Sequence, residues 1–102
     1  MSLQVSQLLN ELEDVLRAEK YWRDLSPTAE ALSSVEPFCI DTLSCTEWLQ
    51  WVYIPRLRAI IEQLSDLPVG AQVYPYVQQA LAGLDVTSIL EVIARLDEAM
   101  AQ

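Results

Sequence analysis

Apolar residues near the start of the chain fall at Val5, Leu8, Leu9, Leu12, Val15 and Leu16. That i, i+3, i+4, i+7 rhythm predicts an amphipathic helix from about Leu3 to Trp22. Glu13 and Arg17 are spaced for an i, i+4 pair on its wet face. Arg17, Lys20 and Arg23 gather at its C-terminal end. A phosphate-binding patch is the sharper reading of those three cations, but complementing the helix dipole is sufficient reason for them. Ser26-Pro27-Thr28 reads as a second start, with Ser26 as cap and Pro27 in the first helical position. A short helix from Pro27 to Ser34 follows, stopped ahead of Pro37.

The connector from Pro37 to Leu43 is rich in large apolar residues. Phe38, Ile40 and Leu43 are expected to turn inward. Ser44 and Glu47 then match a capping box. From Trp48 to Ile54, Gln50 is the only polar side chain besides the tyrosine hydroxyl, which predicts a helix buried between others. Farther on, Leu57, Ile60, Ile61 and Leu64 keep a single stripe. Pro55 removes the bond to the Trp51 carbonyl, at a cost of roughly 3 kcal/mol. A kink is expected there, with a break into two helices as the alternative. The freed carbonyl needs water or a donor such as Arg58.

Leu67-Pro68-Val69-Gly70 reads as a turn. A fourth helix spans about Pro75 to Leu84, opened by Tyr74-Pro75-Tyr76 and weakened at its end by Gly83. Asp85 is placed to cap the last helix, whose stripe is Val86, Ile89, Leu90, Ile93, Leu96 and Met100. Glu91 and Arg95 are spaced for a surface pair. The fold expected is all-α: an antiparallel four-helix bundle with one additional short helix between the first two, the central helix kinked at Pro55, in one domain over residues 1–102.

Composition supports that reading. With 102 residues, 52% of them hydrophobic, the chain can bury a core without disulfides or metal. Its 15 acidic and 6 basic residues give a net charge of −9. Such a charge repels phosphate backbones and anionic lipid, so no direct nucleic-acid binding and no membrane contact are expected. The acidity keeps an apolar domain in solution; docking on a basic partner is the functional alternative. Leu67 to Leu84 is uncharged but interrupted by Pro68, Gln72, Pro75, Gln78 and Gln79, so it is not read as a span. The N-terminus lacks a signal-peptide pattern, and a cytoplasmic protein is expected. Cys39 and Cys45 read as ordinary thiols.

The chain has no histidine. Ser-His-Asp and Cys-His sites are therefore impossible, as are Glu-x-x-His di-iron sites. Two glycines cannot build a phosphate loop. No enzyme activity, cofactor or metal is expected. Glu11, Glu13, Asp14, Asp97 and Glu98 fit solvated helix faces. Asp41 and Glu47 stand among apolar residues. Asp41 is read either as a buried acid with a shifted pKa or, preferably, as a cap or a partner of Arg56. Trp48 and Trp51 fit a core better than a base-stacking platform, which needs a basic groove beside it.

At Pro37-Phe38, Asp41-Thr42-Leu43, Glu47-Trp48-Leu49-Gln50-Trp51 and Ile54-Pro55-Arg56 the chain resembles the YqcC-like family of small bacterial helical proteins. The resemblance runs over nearly the whole chain and implies a helical bundle without an assigned activity. Cys39 and Cys45 lie outside the motif. Members are sometimes labelled as linked to tRNA pseudouridine synthase C. Those synthases need a larger mixed α/β domain with a basic RNA channel, so the resemblance implies an accessory protein at most.

The function expected is therefore non-catalytic: a protein-interaction or accessory module, its protein partner unknown, a monomer rather than a homodimer. The surface singled out is Phe38, Asp41, Trp48, Gln50, Trp51 and Arg56, where aromatics mix with a few polar handles. The alternative is a small-molecule-binding bundle with a pocket near Asp41, Trp48 and Arg56.

Overall fold

A computed structural model describes residues 2–64, 66 and 72–101. All regular elements among the described residues are helical. Helix α1 is Ser2–Ala18. It stops short of Trp22 because Lys20 turns left-handed, at φ 66°. The amides of Tyr21 and Trp22 then bond back to the Leu16 carbonyl, at 2.9 and 3.2 Å.

Helix α2 is Ala29–Leu32 and buries none of its residues. Thr28, not Ser26, is its cap, with the hydroxyl accepting from the Ala31 amide at 3.0 Å. The extended backbone of Thr28 leaves Pro27 outside the helix instead of in its first turn. Pro37–Cys39 forms a 3₁₀ turn in which Phe38 and Cys39 are left-handed, at φ 58° and 50°. That turn leaves Leu43 buried and Phe38 half-buried, but Ile40 is 61% exposed, against expectation.

The central run begins at α3, Cys45–Trp48, under the expected capping box. The Ser44 hydroxyl accepts from the Glu47 amide at 3.3 Å, and the Glu47 carboxylate accepts from the Ser44 amide at 3.0 Å. A π-helical turn, Leu49–Tyr53, follows, and then α4, Ile54–Glu62. The run is not split at Pro55. Instead the wide turn just before the proline pairs the Ile54 amide with the Leu49 carbonyl. Shifting the pairing by one residue absorbs the missing N–H within the helical run.

The expected turn at Leu67–Gly70 lies outside the described residues. Helix α5 is Tyr74–Ala80, with Pro75 in its first turn, and α6 is Thr87–Ala99. Helix α5 ends earlier than expected, and Gly83 beyond it takes φ 88°. Val86 occupies the cap position of α6, while Asp85 only meets the Thr87 hydroxyl, at 3.5 Å.

Helix α1 packs on α6 and α4, α5 packs on α6, and the 3₁₀ turn packs on α3. The stripes meet in one core, with Leu9, Leu12, Leu16, Leu49, Ile54, Ile89, Ile93 and Leu96 fully buried. Each such side chain contributes about 1.5–3 kcal/mol of transfer free energy. Leu64, read as part of a stripe, is exposed instead. Because α1 and α6 are neighbours, Arg95 pairs across them with Glu11 at 3.7 Å, and not with Glu91. No helix among the described residues is long and apolar enough to cross a membrane.

Candidate functional site

The π turn decides how the central run presents its side chains. Each residue of a wide turn rotates by less than the about 100° of an α-helix. Residues five apart then come round to one face. Trp48 and Tyr53 are such a pair, with ring centroids 5.3 Å apart. Gln50 and Trp51 face elsewhere, toward the segment that follows α1.

Gln50 is only 3% exposed, and both ends of its amide are bonded. Its Oε1 accepts from the Arg23 amide at 2.8 Å, and its Nε2 donates to the Arg23 carbonyl at 2.7 Å. One side chain thus pins a segment that has no regular structure of its own. Beside this clasp lies an open cleft of about 360 Å³, lined by Arg17, Trp22, Arg23, Trp51, Pro55 and Arg58 among others. The Arg17 guanidinium sits 4.5 Å over the Trp22 ring.

Two of these cations are already engaged. Glu13 pairs with Arg17 as expected, at 2.9 Å, and also with Arg58 at 2.9 Å. Arg58 further donates to Asn10 at 2.9 Å. Burial works to raise the Glu13 pKa, but hydrogen bonds from Arg58 and Arg17, with their charges, together hold it below its ordinary 4.5. A folded-state value below the unfolded one stabilises the fold above the ordinary pKa. That contribution is lost as pH falls through the lowered value. Acid titration followed by helical circular dichroism should therefore show a smaller loss of stability below pH about 4.5 in Glu13→Gln than in the parent chain. Equal losses would mean that Glu13 titrates alike in both states.

The opposite side of the run holds an apolar pocket of about 240 Å³. Its walls include Phe38, Trp48, Tyr53, Arg56, Leu57 and Val73. Phe38 stacks on Tyr76, 4.1 Å between centroids, and meets Trp48 edge-on at 5.0 Å. Holding an aromatic residue left-handed is costly, and the stacked rings over-determine it. Tyr53 is buried, and its hydroxyl has no partner among the described groups. Burial, and then the nearby Asp97 charge, push its pKa up, so it stays a phenol that can donate. Arg56 is exposed and takes part in none of the ion pairs among the described residues.

Cys39 and Cys45 are free and buried. Burial pushes the Cys45 thiol up to about 11, against a hydrogen bond with Tyr76 that lowers it. Burial likewise pushes Tyr76 up to about 12, helped by the two cysteines. A thiol in that state is a poor nucleophile.

The six residues singled out in the sequence therefore divide. Phe38, Trp48 and Arg56 share the apolar pocket. Gln50 and Trp51 line the arginine cleft on the other side. Asp41 lines neither. It is exposed and accepts from the Ser34 hydroxyl at 2.5 Å, so the expected cap or Arg56 pairing is not formed. The reason is local: Ser44 and Glu47 already satisfy the helix start. Tyr53, Tyr76 and Asp97 were not foreseen. Tyr53 carried a signal, an apolar run followed by a proline, which a wide turn reconciles.

A family model described as DUF446, tRNA pseudouridine synthase C, matches residues 4–99. The chain belongs to this family of YqcC-like proteins. An uncharacterised protein of Haemophilus influenzae is 38% identical over 99 residues, covering 96% of this chain and 93% of that one. Similarity also extends to the solution NMR structure of YqcC from Escherichia coli, with a TM-score of 0.89 at 35% identity, over 99% of this chain and 88% of that one. A Pectobacterium carotovorum protein named tRNA pseudouridine synthase C is 43% identical over 65 residues. That match covers 64% of this chain but only 17% of the larger protein. Most of the larger protein thus lies outside the likeness, and its name is not evidence of catalysis by this chain.

Proposed function

We propose that this chain is a non-catalytic accessory module that docks on a pseudouridine synthase acting on tRNA in the cytoplasm. The observation that carries this reading is the YqcC-like segment within a far longer protein of that name. Two functions joined in one chain in one bacterium are commonly partners when separate in another. Charge supports the same direction. An enzyme that holds tRNA must present basic surface. A domain of net charge −9 is attracted to such a surface and repelled by the RNA itself. The absence of histidine from the sequence supports the non-catalytic part. For this role the four longer elements, α1, the central run, α5 and α6, are read as an antiparallel bundle acting as a monomer.

The test mixes the purified chain with the purified synthase of the same bacterium. A salt-sensitive complex on size exclusion is expected, together with a changed rate of uridine isomerisation by the synthase. The chain alone should neither isomerise uridine nor retain tRNA at physiological salt. Separate migration at micromolar concentrations with an unchanged rate, or activity of the chain by itself, would overturn the proposal.

A second reading, a small-molecule-binding bundle, is favoured by one observation. The pocket that joins Phe38, Trp48 and Arg56 also contains a buried hydroxyl without a partner among the described groups.

A further inference from the structure

We propose that the pocket between the central run and the entry to α5 at Val73 binds a small monocarboxylate with an apolar body, a single ring or a short acyl chain. The inference rests on the second reading above and is independent of the synthase reading.

Size sets the first limit. The pocket holds about 240 Å³. A dry cavity of about 150 Å³ already takes benzene, while drug-sized ligands need about 300–1,000 Å³. One ring with a short substituent therefore fits. The walls set the second limit. Phe38, Trp48, Leu57, Val73 and Met100 offer apolar surface, so the body of the ligand is apolar.

Three polar side chains line it, and of these Gln72 is exposed and uncharged, so Tyr53 and Arg56 decide the rest. Tyr53 is 6% exposed, yet its hydroxyl has no partner among the described groups. A buried hydroxyl in that state costs free energy until it donates to something. Arg56 supplies the one full charge among the described residues of the wall. Its planar fork suits the two oxygens of a carboxylate. A phosphate dianion would leave most of its oxygens against apolar walls, with a large loss of hydration. Aromatic walls in an acidic chain could instead suggest a quaternary ammonium guest. Arg56 in the wall opposes that guest directly, at short range; the Asp97 carboxylate near Tyr53 lies outside the wall and is held by the Val73 and Tyr74 amides, and the net charge of the chain is screened. The left-handed pair Phe38 and Cys39 adds an independent mark. It sets the Phe38 ring in the wall at the expense of backbone strain, as occurs at ligand sites.

The test is a calorimetric titration of the purified chain with benzoate, benzyl alcohol and benzyltrimethylammonium. Benzoate should bind saturably and about tenfold more tightly than benzyl alcohol, a factor worth about 1.4 kcal/mol. Arg56→Gln should remove that preference, and Tyr53→Phe should weaken benzoate several-fold. Circular dichroism of both variants should match the parent, since Arg56 is exposed and Tyr53→Phe keeps the ring. Equal binding of benzoate and benzyl alcohol overturns the carboxylate assignment while leaving a small-molecule pocket. Preferred binding of the ammonium reverses the sign of the site and overturns it also. No binding of any probe overturns both this proposal and the small-molecule reading.

Discussion

Gln50→Ala should destabilise the fold by about 3 kcal/mol, counting a lost buried side chain and two unpaired backbone groups. The parent amide satisfies the Arg23 N–H and C=O at 2.8 and 2.7 Å. Truncation leaves both groups without that partner in a partly buried place, and a void where the amide sat. In a domain of this length the melting temperature should fall by roughly 12–24 °C. Gln50→Glu separates the terms, because it keeps the volume and one acceptor but loses the donor. It should fall between the parent and the alanine variant. Amide exchange should speed up first in the segment from Lys20 to Thr28, which the clasp holds. A melt within 3 °C of the parent (about 0.5 kcal/mol) would show that Gln50 carries no such load.

That clasp also marks where a sequence becomes hard to read. The helix stripes were legible because one element contains the whole signal: Leu9, Leu12 and Leu16 repeat at the helical period and are all fully buried. The Ser44 and Glu47 capping box was legible for the same reason. The partner of Gln50 lies 27 residues away, so its role exists only after packing. The candidate surface suffered from one geometric assumption. At ordinary helical spacing Trp48 and Trp51 share a face, and the six chosen residues look like one patch. The π turn between Leu49 and Tyr53 rotates them apart and brings Tyr53 under Trp48 instead. Asp41 failed differently, since a hydroxyl seven residues earlier, on Ser34, claimed it before any distant cation could. Pro55 gave warning of irregularity, but not that a π turn just before it would accommodate the missing N–H.

Asp97 carries the other large effect. Its sequence neighbourhood suggested a solvated carboxylate on the wet face of the last helix. In the structure its carboxylate accepts from the Val73 amide at 3.1 and 2.9 Å and from the Tyr74 amide at 2.8 Å. Helix α5 has no side-chain cap of its own, and Pro75 in its first turn supplies no amide. Asp97 therefore does from α6 what a capping residue does locally. Negative charge at a helix start is also favourable to the dipole. Asp97→Ala should cost about 2–3 kcal/mol, the range for charge-assisted bonds to partly buried donors. Asp97→Asn keeps one acceptor and should recover about half of that loss. The effect should be local as well as global. Val73 and Tyr74 open α5, and Tyr76 one turn on stacks against Phe38, so loosening α5 should also loosen that stack. Near-ultraviolet circular dichroism of the aromatic cluster should weaken in Asp97→Ala before the helical signal melts. An alanine variant with the parent's melting curve and aromatic signal would place the anchoring of α5 in the Val77 core contacts instead.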